Sequence, residues 1–511
     1  MRAAWGVGAV ALLTWIGEAV LAARFPLQLD YGEGIALQAM DLTQHGASLY
    51  RDPATYPWVT IQYTPIYFWC GAALRILMGQ GYVAGRLLST VSAMGCAMLL
   101  ARAAGRRGGL ASVATALALF STSALVLGWS TMCRVDSLGL LFEISGLYLV
   151  DLALQEGDET RANRDLLGAG LAFAAAFWTK QSLVFGAAAG LLATGLWRGA
   201  GTAWRLGLTW VLGICLPWLA LDASNGHRLY ELLFRYNYLP WRAELFFLWA
   251  GAWLPTVAVP LLVALTWLFG RTNRDRAGVW GAYLGFGILT LVLGGKEGSF
   301  YNHFLPIHAA LSVVAAMAFV DVSGLARPTA HPEGQITRLL TATAFLVGIA
   351  IAFCMPLPPT LSSVREQLEY DVIPGIRGHL AARMQAADAE IAEYRRLLAE
   401  RDGPVLAENT GPLVLCGRPP AINDPFQFFR LATKGLWNPH PFEEMVTQHR
   451  FVVITLQRLD GSNLRFPLDA LSLVTANYHV VGRIGLDFVL LPNPPSSHHH
   501  DTGNGPPLEA P

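Results

Sequence analysis

The feature that most constrains this chain is the recurrence of apolar runs long enough to cross a bilayer. A helix rises 1.5 Å per residue, so about 20 consecutive apolar residues cover the hydrocarbon core. Runs near that length occupy residues 3–22, 82–103, 110–129, 134–154, 165–179, 181–197, 204–221, 248–269, 278–294, 303–320 and 336–355, eleven in all. Composition agrees: 53% of the 511 residues are hydrophobic and only 14% charged, with a mean hydropathy of +0.40. A soluble chain of this length carries more charge. The formal net charge of zero gives no basic footprint for a nucleic-acid partner.

Arg2 before the first run resembles a signal-peptide start, but Trp5, Trp15 and Glu18 inside it favour an uncleaved span. Eleven spans put the termini on opposite sides. The arginine-dense short loops GRRGG and RTNRDR then place the N-terminus inside and the C-terminus outside the cell. Residues 64–79 are apolar but short and open with Pro65, which reads as an interfacial helix feeding the second span.

The composition turns soluble at the proline-rich MPLPPT. The expected organisation is therefore a transmembrane domain over 1–355, with a first outer loop at 24–80, and an extracytoplasmic α/β domain over 356–491. In the latter, a charged, alanine-rich helical stretch at 362–401 precedes the β-rich runs PVLAEN, PLVLCG, RFVVITL, YHVVGRIG and DFVLLP. The tail at 492–511, rich in Pro, Ser, His and Gly, reads as disordered, and its HHH is too local for a metal site. The six cysteines form neither a CxxC pair nor a disulfide framework.

Charge is expensive at membrane depth and is kept where it has a role. Four clusters of it stand at the outer ends of spans. In the first loop, Asp30 and Glu33 are three apart, so a helix over 32–46 turns both toward its mouth. Around them lie Tyr31, Tyr50, Tyr56, Trp58, Tyr63, Tyr67 and Trp69, an interfacial aromatic set. In RVD, Arg134 and Asp136 are two apart and do not face each other along a helix. Arg134 is therefore expected at a cavity and Asp136 against a neighbour, a structural ion pair being the bland alternative.

Glu143, deeper in that span, is expected to satisfy a contact within the bundle. In TKQ, Lys180 and Gln181 sit where the fifth span reaches the outer surface. Snorkelling to the interface is the ordinary reading; against it, the chain has only three lysines, and the inner-side cations are arginines. In GGKEGSFYNHFLPIH, Lys296, Glu297, Ser299, Tyr301, Asn302 and His303 surround a glycine-bounded turn rich in donors, suited to a phosphate or a sugar hydroxyl. His308 reads as a satisfied core residue.

Carboxylates to serve as general base and cations to receive an anionic leaving group suit transfer of a sugar from a lipid phosphate to a hydroxyl or amine. The order of these features, DYGEG, YRDPATYP, YTPIYFW, RVD, TKQ and GSFYNHFLP, followed by the α/β domain, resembles the GT-C superfamily of polytopic membrane glycosyltransferases, close to its family 39 and aminoarabinose-transferase-like bacterial members. The resemblance implies a polyprenyl-phosphate-sugar donor, a lipid, glycan or protein acceptor, inversion at the anomeric carbon and a location in the inner (cytoplasmic) membrane. It makes an acid of the first loop, Asp30 or Glu33, the base; the charge clusters themselves put Arg134, Lys180 and Lys296 on the donor phosphate. Tyr63, Asp136, Gln181, Glu297, Ser299, Tyr301, Asn302 and His303 are then expected around the substrates.

The chain departs from the family in one respect: the two acids commonly adjacent there are separated here by Tyr31 and Gly32. Asp30 is favoured by residue type, Glu33 by its place before Gly34. Some members use a divalent metal; the sequence carries no independent sign of one, and no cofactor is expected. A transporter or flippase of lipid-linked sugars is the alternative, weakened by the lack of internal repeats. A scaffold protein would explain the C-terminal domain but not the clustered charges.

Overall fold

The computed structural model describes residues 2–270, 275–323, 379–461, 463 and 465–494. The expected span at 336–355, the MPLPPT boundary and the tail from 495 onward lie outside the described residues.

Helix α1 (Arg2–Arg24) leads into the first loop, where α2 (Tyr31–Gln44) and α3 (Ile66–Met78) form. Both follow the sequence expectation to within two residues. Next comes α4 (Val83–Ser121), which is helical throughout except at Gly109, where φ is 72°. A Cβ on Gly105 would meet Val113, eight residues on, at 2.5 Å. Residues eight apart in a straight helix stand about 12 Å apart, so the chain doubles back at Gly109 and α4 comprises the two expected runs. The second of these stops at Ser121, and Trp129 belongs to a separate short helix, α5 (Ala124–Ser130).

The bundle continues with α6 (Asp136–Gln155), α7 (Glu159–Thr179), α8 (Phe185–Arg198), α9 (Ala200–Ser224), α10 (Ala243–Leu268), α11 (Val279–Val292) and α12 (Leu305–Ser323). Among the described residues, Val83–Ser121, Asp136–Gln155, Ala200–Ser224, Ala243–Leu268 and Tyr301–Ser323 are long and apolar enough to cross a membrane. Their burial differs. The last is almost wholly enclosed, whereas α9 exposes Trp204, Leu208, Leu216 and Leu219. A helix apolar all round and unburied needs lipid as its solvent.

The C-terminal domain carries a four-stranded sheet of β1 (Val405–Ala407), β2 (Val453–Leu456), β3 (Tyr478–Ile484) and β4 (Asp487–Pro492) in the order β1-β2-β4-β3. β1 and β2 are parallel and the other pairs antiparallel. One expected run is corrected: PLVLCG is not a strand, because residues Gly411–Leu415 form a helix. Four apolar residues do not distinguish the two states. Here Pro412 supplies a helical first turn, and Gly411 lies so close to α2 that a Cβ on Gly34 would stand 2.7 Å from its backbone nitrogen.

This domain is stitched onto the first loop. Trp58 N donates to Ala421 O and Asn423 N to Trp58 O, while the Asn423 side chain bonds both backbone groups of Thr60. Gln28 donates to Asn409 at 2.8 Å. The stitches hold the domain as a roof over the start of α2.

Candidate active site

The pentapeptide DYGEG builds the floor of the site one residue at a time. Asp30 is the N-cap of α2, its Oδ1 accepting from Glu33 N at 2.9 Å, as orphan donors at a helix start require. Its Oδ2 lies 3.3 Å from Arg134 Nη1. Tyr31 points up into the C-terminal domain, donating to Asp424 Oδ1 at 2.8 Å, with the Arg465 guanidinium 4.2 Å over its ring. Gly32 makes way for Arg134: a Cβ there would stand 1.2 Å from Arg134 Nη1. Glu33 turns inward, and Gly34 admits the Gly411 backbone.

Glu33 and Asp30 therefore do different things. The Glu33 side chain is fully buried, and each oxygen is met twice. Oε1 accepts from Arg86 Nε at 2.9 Å and Cys133 N at 2.5 Å, and Oε2 from Arg86 Nη2 and Leu29 N, both at 2.6 Å. Arg86 spends its other donors on the carbonyls of Ala22, Phe25 and Leu27. The result is a closed knot tying α1, α2, α4 and the approach to α6. A buried pair with every lone pair and proton satisfied offers no oxygen to a substrate, and removing either partner is strongly destabilising because it leaves the other charge buried and unpaired.

From Asp30 the charges run on. Arg134 is within Coulombic range of both Asp30 and Asp136. Asp136, at the start of α6, accepts from Lys180 Nζ at 2.6 Å and from Asn302 Nδ2 at 2.7 Å, so it bonds neighbours as its spacing from Arg134 requires. His303 stands within charge range of Lys180, Asp136, Lys296 and Arg134. A crevice lined by Asp136, Lys180, Ser182, Asn302 and His303 opens among them. Lys296 donates to Asn237 at 2.7 Å; burial, then the neighbouring charges of Lys180 and Lys434, lower its pKa to about 8. A lysine so placed gains from an anion beside it.

The other expected residues divide. Tyr63 lies within charge range of Arg134, and its carbonyl accepts from Tyr50. Gln181 donates to the carbonyls of Gln62 and Leu233, which fixes the loop. Glu297 is held by Arg430 at 2.7 Å and Arg242 at 3.2 Å. Ser299 is buried in the turn with its N–H on Lys296 O, and Tyr301 packs edge-on to Trp129. Glu143 accepts from Tyr283 and from Gly186 N, and His308 lies against Leu119 O, both inside the bundle. Among the described residues no three His, Cys, Asp or Glu side chains converge as a metal would need.

This geometry has counterparts. The structure of ArnT from Cupriavidus metallidurans bound to undecaprenyl phosphate superposes with a TM-score of 0.62 over 95% of this chain and 97% of that one, at 17% identity. Its apo structure gives 0.61 over 95% and 96%, at 16% identity. This chain has the GT-C fold. A GT-C oligosaccharyltransferase from Archaeoglobus fulgidus, in complex with Zn and sulfate, matches at 0.54 over 92% of this chain and 71% of its own, with 12% identity. By sequence, residues 62–220 match the model of the dolichyl-phosphate-mannose-protein mannosyltransferase family. None of the curated protein sequences matches.

Within this GT-C fold, several groups that build the site were not singled out from sequence. Arg86 had a signal: it lies inside an apolar helix, where a cation implies a buried partner. Asp424 had a weaker one, Asp-Pro being a helix-start signature; it N-caps the helix Pro425–Thr433 while holding Tyr31 and Gln62. Arg465 had none, since its partners Glu408 and Tyr31 lie 57 and more residues away.

Proposed function

We propose that this protein is an inverting glycosyltransferase of a cell's inner membrane, moving a sugar from a polyprenyl-phosphate donor to a hydroxyl or amine of a lipid, glycan or protein acceptor. On this reading eleven helices span the membrane, and the C-terminal domain with the Asp30 site faces the outer, periplasmic side. The observation that carries it is the run of charges Asp30–Arg134–Asp136–Lys180: a candidate base at one end, then two cations with a carboxylate between them, under a roof formed by a separate domain.

Asp30 is the general base. Its Oδ2 takes the acceptor proton as the acceptor oxygen or nitrogen attacks the anomeric carbon from the face opposite the phosphate. The bond from that carbon to the phosphate oxygen breaks, and its electron pair leaves with the polyprenyl phosphate. Arg134, Lys180 and Lys296 stabilise the charge appearing there, in a site where burial strengthens every such contact. Glu33 does not touch substrate in this scheme; it fixes the loop that presents Asp30. The undecaprenyl phosphate bound by the ArnT neighbour supports a polyprenyl-linked donor here.

The test is mass spectrometry of envelope lipids and glycans with and without the gene, and with Asp30→Asn in its place. The expected result is one missing sugar modification and an accumulated lipid-phosphate donor in both the deletion and the variant. A flippase would leave Asp30→Asn fully active, and that outcome overturns the reading.

A further inference from the structure

The turn that carries Lys296 is held from two sides. Trp241 and Lys296 form an antiparallel bridge, in which Arg242 N donates to Gly295 O at 2.7 Å and Glu297 N to Pro240 O at 2.8 Å. The second hold comes from the C-terminal domain, whose helix Pro425–Thr433 packs directly against the turn. Gly298, with φ at 74°, leaves a place that Phe426 fills, and a Cβ there would stand 2.8 Å from the Phe426 ring. The roof therefore touches the lysine turn as well as the first loop.

The charges at this contact are shared out unevenly. Lys296 and Glu297 are neighbours in sequence, yet the ammonium of one bonds the neutral Oδ1 of Asn237 and the carboxylate of the other turns to the roof. Glu297, buried, is taken by Arg430 at 2.7 Å and by Arg242 at 3.2 Å. Arg430 lies on the roof helix, and Lys434, which caps that helix, donates to Tyr238 O. One carboxylate thus stands among four cations, two of them brought by the roof. Lys296 itself is within charge range of Lys180, Lys434 and His303, and burial with the first two lowers its pKa to about 8, with no opposing contribution from Glu297. A lone carboxylate beside an ammonium satisfies it and repels a phosphate; one engaged by two guanidinium groups does neither.

We infer that the C-terminal domain sets the charge of the lysine turn: Arg430 neutralises Glu297 and Lys434 adds a cation, so Lys296 keeps a capacity for an anion that Glu297 does not use up. The inference rests on the glycosyltransferase reading, in which that anion is the donor phosphate. Arg430 acts through Glu297 and is a positioning residue, not a catalytic one. The roof helix has a second task beyond covering Asp30, since it supplies the counter-charge that keeps the protein's own carboxylate from competing with the substrate's phosphate.

The experiment is equilibrium binding of bare polyprenyl phosphate to the full-length protein in nanodiscs, followed upward from pH 7, above the phosphate's own second pKa of about 6. Wild type is expected to bind and to lose affinity above about pH 8, as Lys296 loses its proton. In Arg430→Gln the Glu297 charge is left with Arg242 alone: affinity at pH 7 should fall on the order of tenfold and the alkaline loss should move to higher pH. In Arg430→Gln/Glu297→Gln the surplus charge is gone, and affinity should return to within about threefold of wild type. An arginine that only fastens the roof, or that touches the phosphate itself, allows no such recovery, so a double variant as weak as the single one overturns the inference. So does an Arg430→Gln protein that binds like wild type. Should Arg430→Gln fail to fold, Lys434→Gln, at an exposed position, carries the test: the alkaline loss is expected to move up, and one that stays near wild type overturns the inference. If wild type binds no polyprenyl phosphate at any pH, the glycosyltransferase reading falls too; if wild type binds and the variants fail these outcomes, the inference falls alone.

Discussion

Two carboxylates of the same loop, three residues apart, meet two arginines and are put to opposite uses. At Glu33 the side chains of the pair with Arg86 are 0% and 1% exposed, and every polar atom has its partner. At Asp30 the pair with Arg134 is 7% and 13% exposed and longer; neither residue lines the crevice that Lys180 and His303 border. What separates them is exposure and contact length rather than charge. A carboxylate met by four donors on four lone-pair directions is a structural fastening, and one with a loose, longer contact is able to change partners when a substrate arrives.

The contrast breaks first at Asp30. Asp30→Asn keeps the cap, because the amide oxygen still accepts from Glu33 N, but it cannot take a proton. Transfer by the full-length protein is expected to fall about 10²–10⁴-fold with an unchanged thermal unfolding midpoint. Retained turnover would remove Asp30 from the chemistry. Glu33→Gln is the mirror experiment: it leaves Arg86 charged and buried beside a neutral amide, at a cost on the order of 3–5 kcal/mol. The midpoint should drop sharply and activity should follow folded protein. A Glu33→Gln protein that melts normally yet turns over nothing would reverse the two roles.

Much of this contrast could be read in the chain before its fold was known, and the part that could not has a common cause. The apolar runs, the aromatic loop and the charged ends of spans are local signals, and they placed Asp30, Arg134, Asp136 and Lys180 near one another. Whether an acid is sealed or open depends on what reaches it from elsewhere. Glu33 is sealed by Arg86, 53 residues away, and by Cys133 N, 100 residues away. Tyr31 and Gln62 are roofed by Asp424, more than 360 residues away. No period or spacing encodes such pairs, so the sequence left the choice between Asp30 and Glu33 open. The short apolar PLVLCG failed for a related reason: its helical state is fixed by contact with α2.

Gly32 sharpens the comparison with a smaller change. In Gly32→Ala the added methyl occupies the place of Arg134 Nη1, so Arg134 must move off Asp30 while the Glu33 knot is untouched. A displacement of about 1 Å at a reacting centre costs on the order of 10² in rate. The expected outcome is that loss in kcat/KM with near-normal stability; a wild-type rate would detach Arg134 from the site.

Lys296 offers a gentler test by pH. Its free-enzyme pKa, lowered to about 8 by burial and by Lys180 and Lys434, leaves it charged at neutral pH and increasingly neutral above about 8. If it binds the donor phosphate, kcat/KM for the donor falls on an alkaline limb near that value, and Lys296→Arg, which stays charged, moves the limb out of reach. A limb unmoved by the substitution belongs to another group.

The smallest effect is expected at the roof. Asp424 is buried and accepts from Tyr31 at 2.8 Å, Gln62 at 2.7 Å and Gln427 N at 3.1 Å. Burial raises its pKa above the usual carboxylate value, the hydrogen bonds only partly offsetting it. Because the folded state holds the proton more tightly than the unfolded chain, the folded protein loses stability through this group as pH climbs from about 4, the unfolded value, to the raised folded one. Asp424→Asn has no proton to lose. It keeps an oxygen for Tyr31 and Gln427 N but turns an N–H toward Gln62, costing about 1 kcal/mol. The gap in unfolding midpoint between wild type and variant should therefore be widest near pH 4 and narrow as pH rises. A gap that widens with pH would mean the carboxylate is favoured as an anion in the fold. The roof would then be held over Asp30 by charge, through Arg465, rather than by neutral hydrogen bonds.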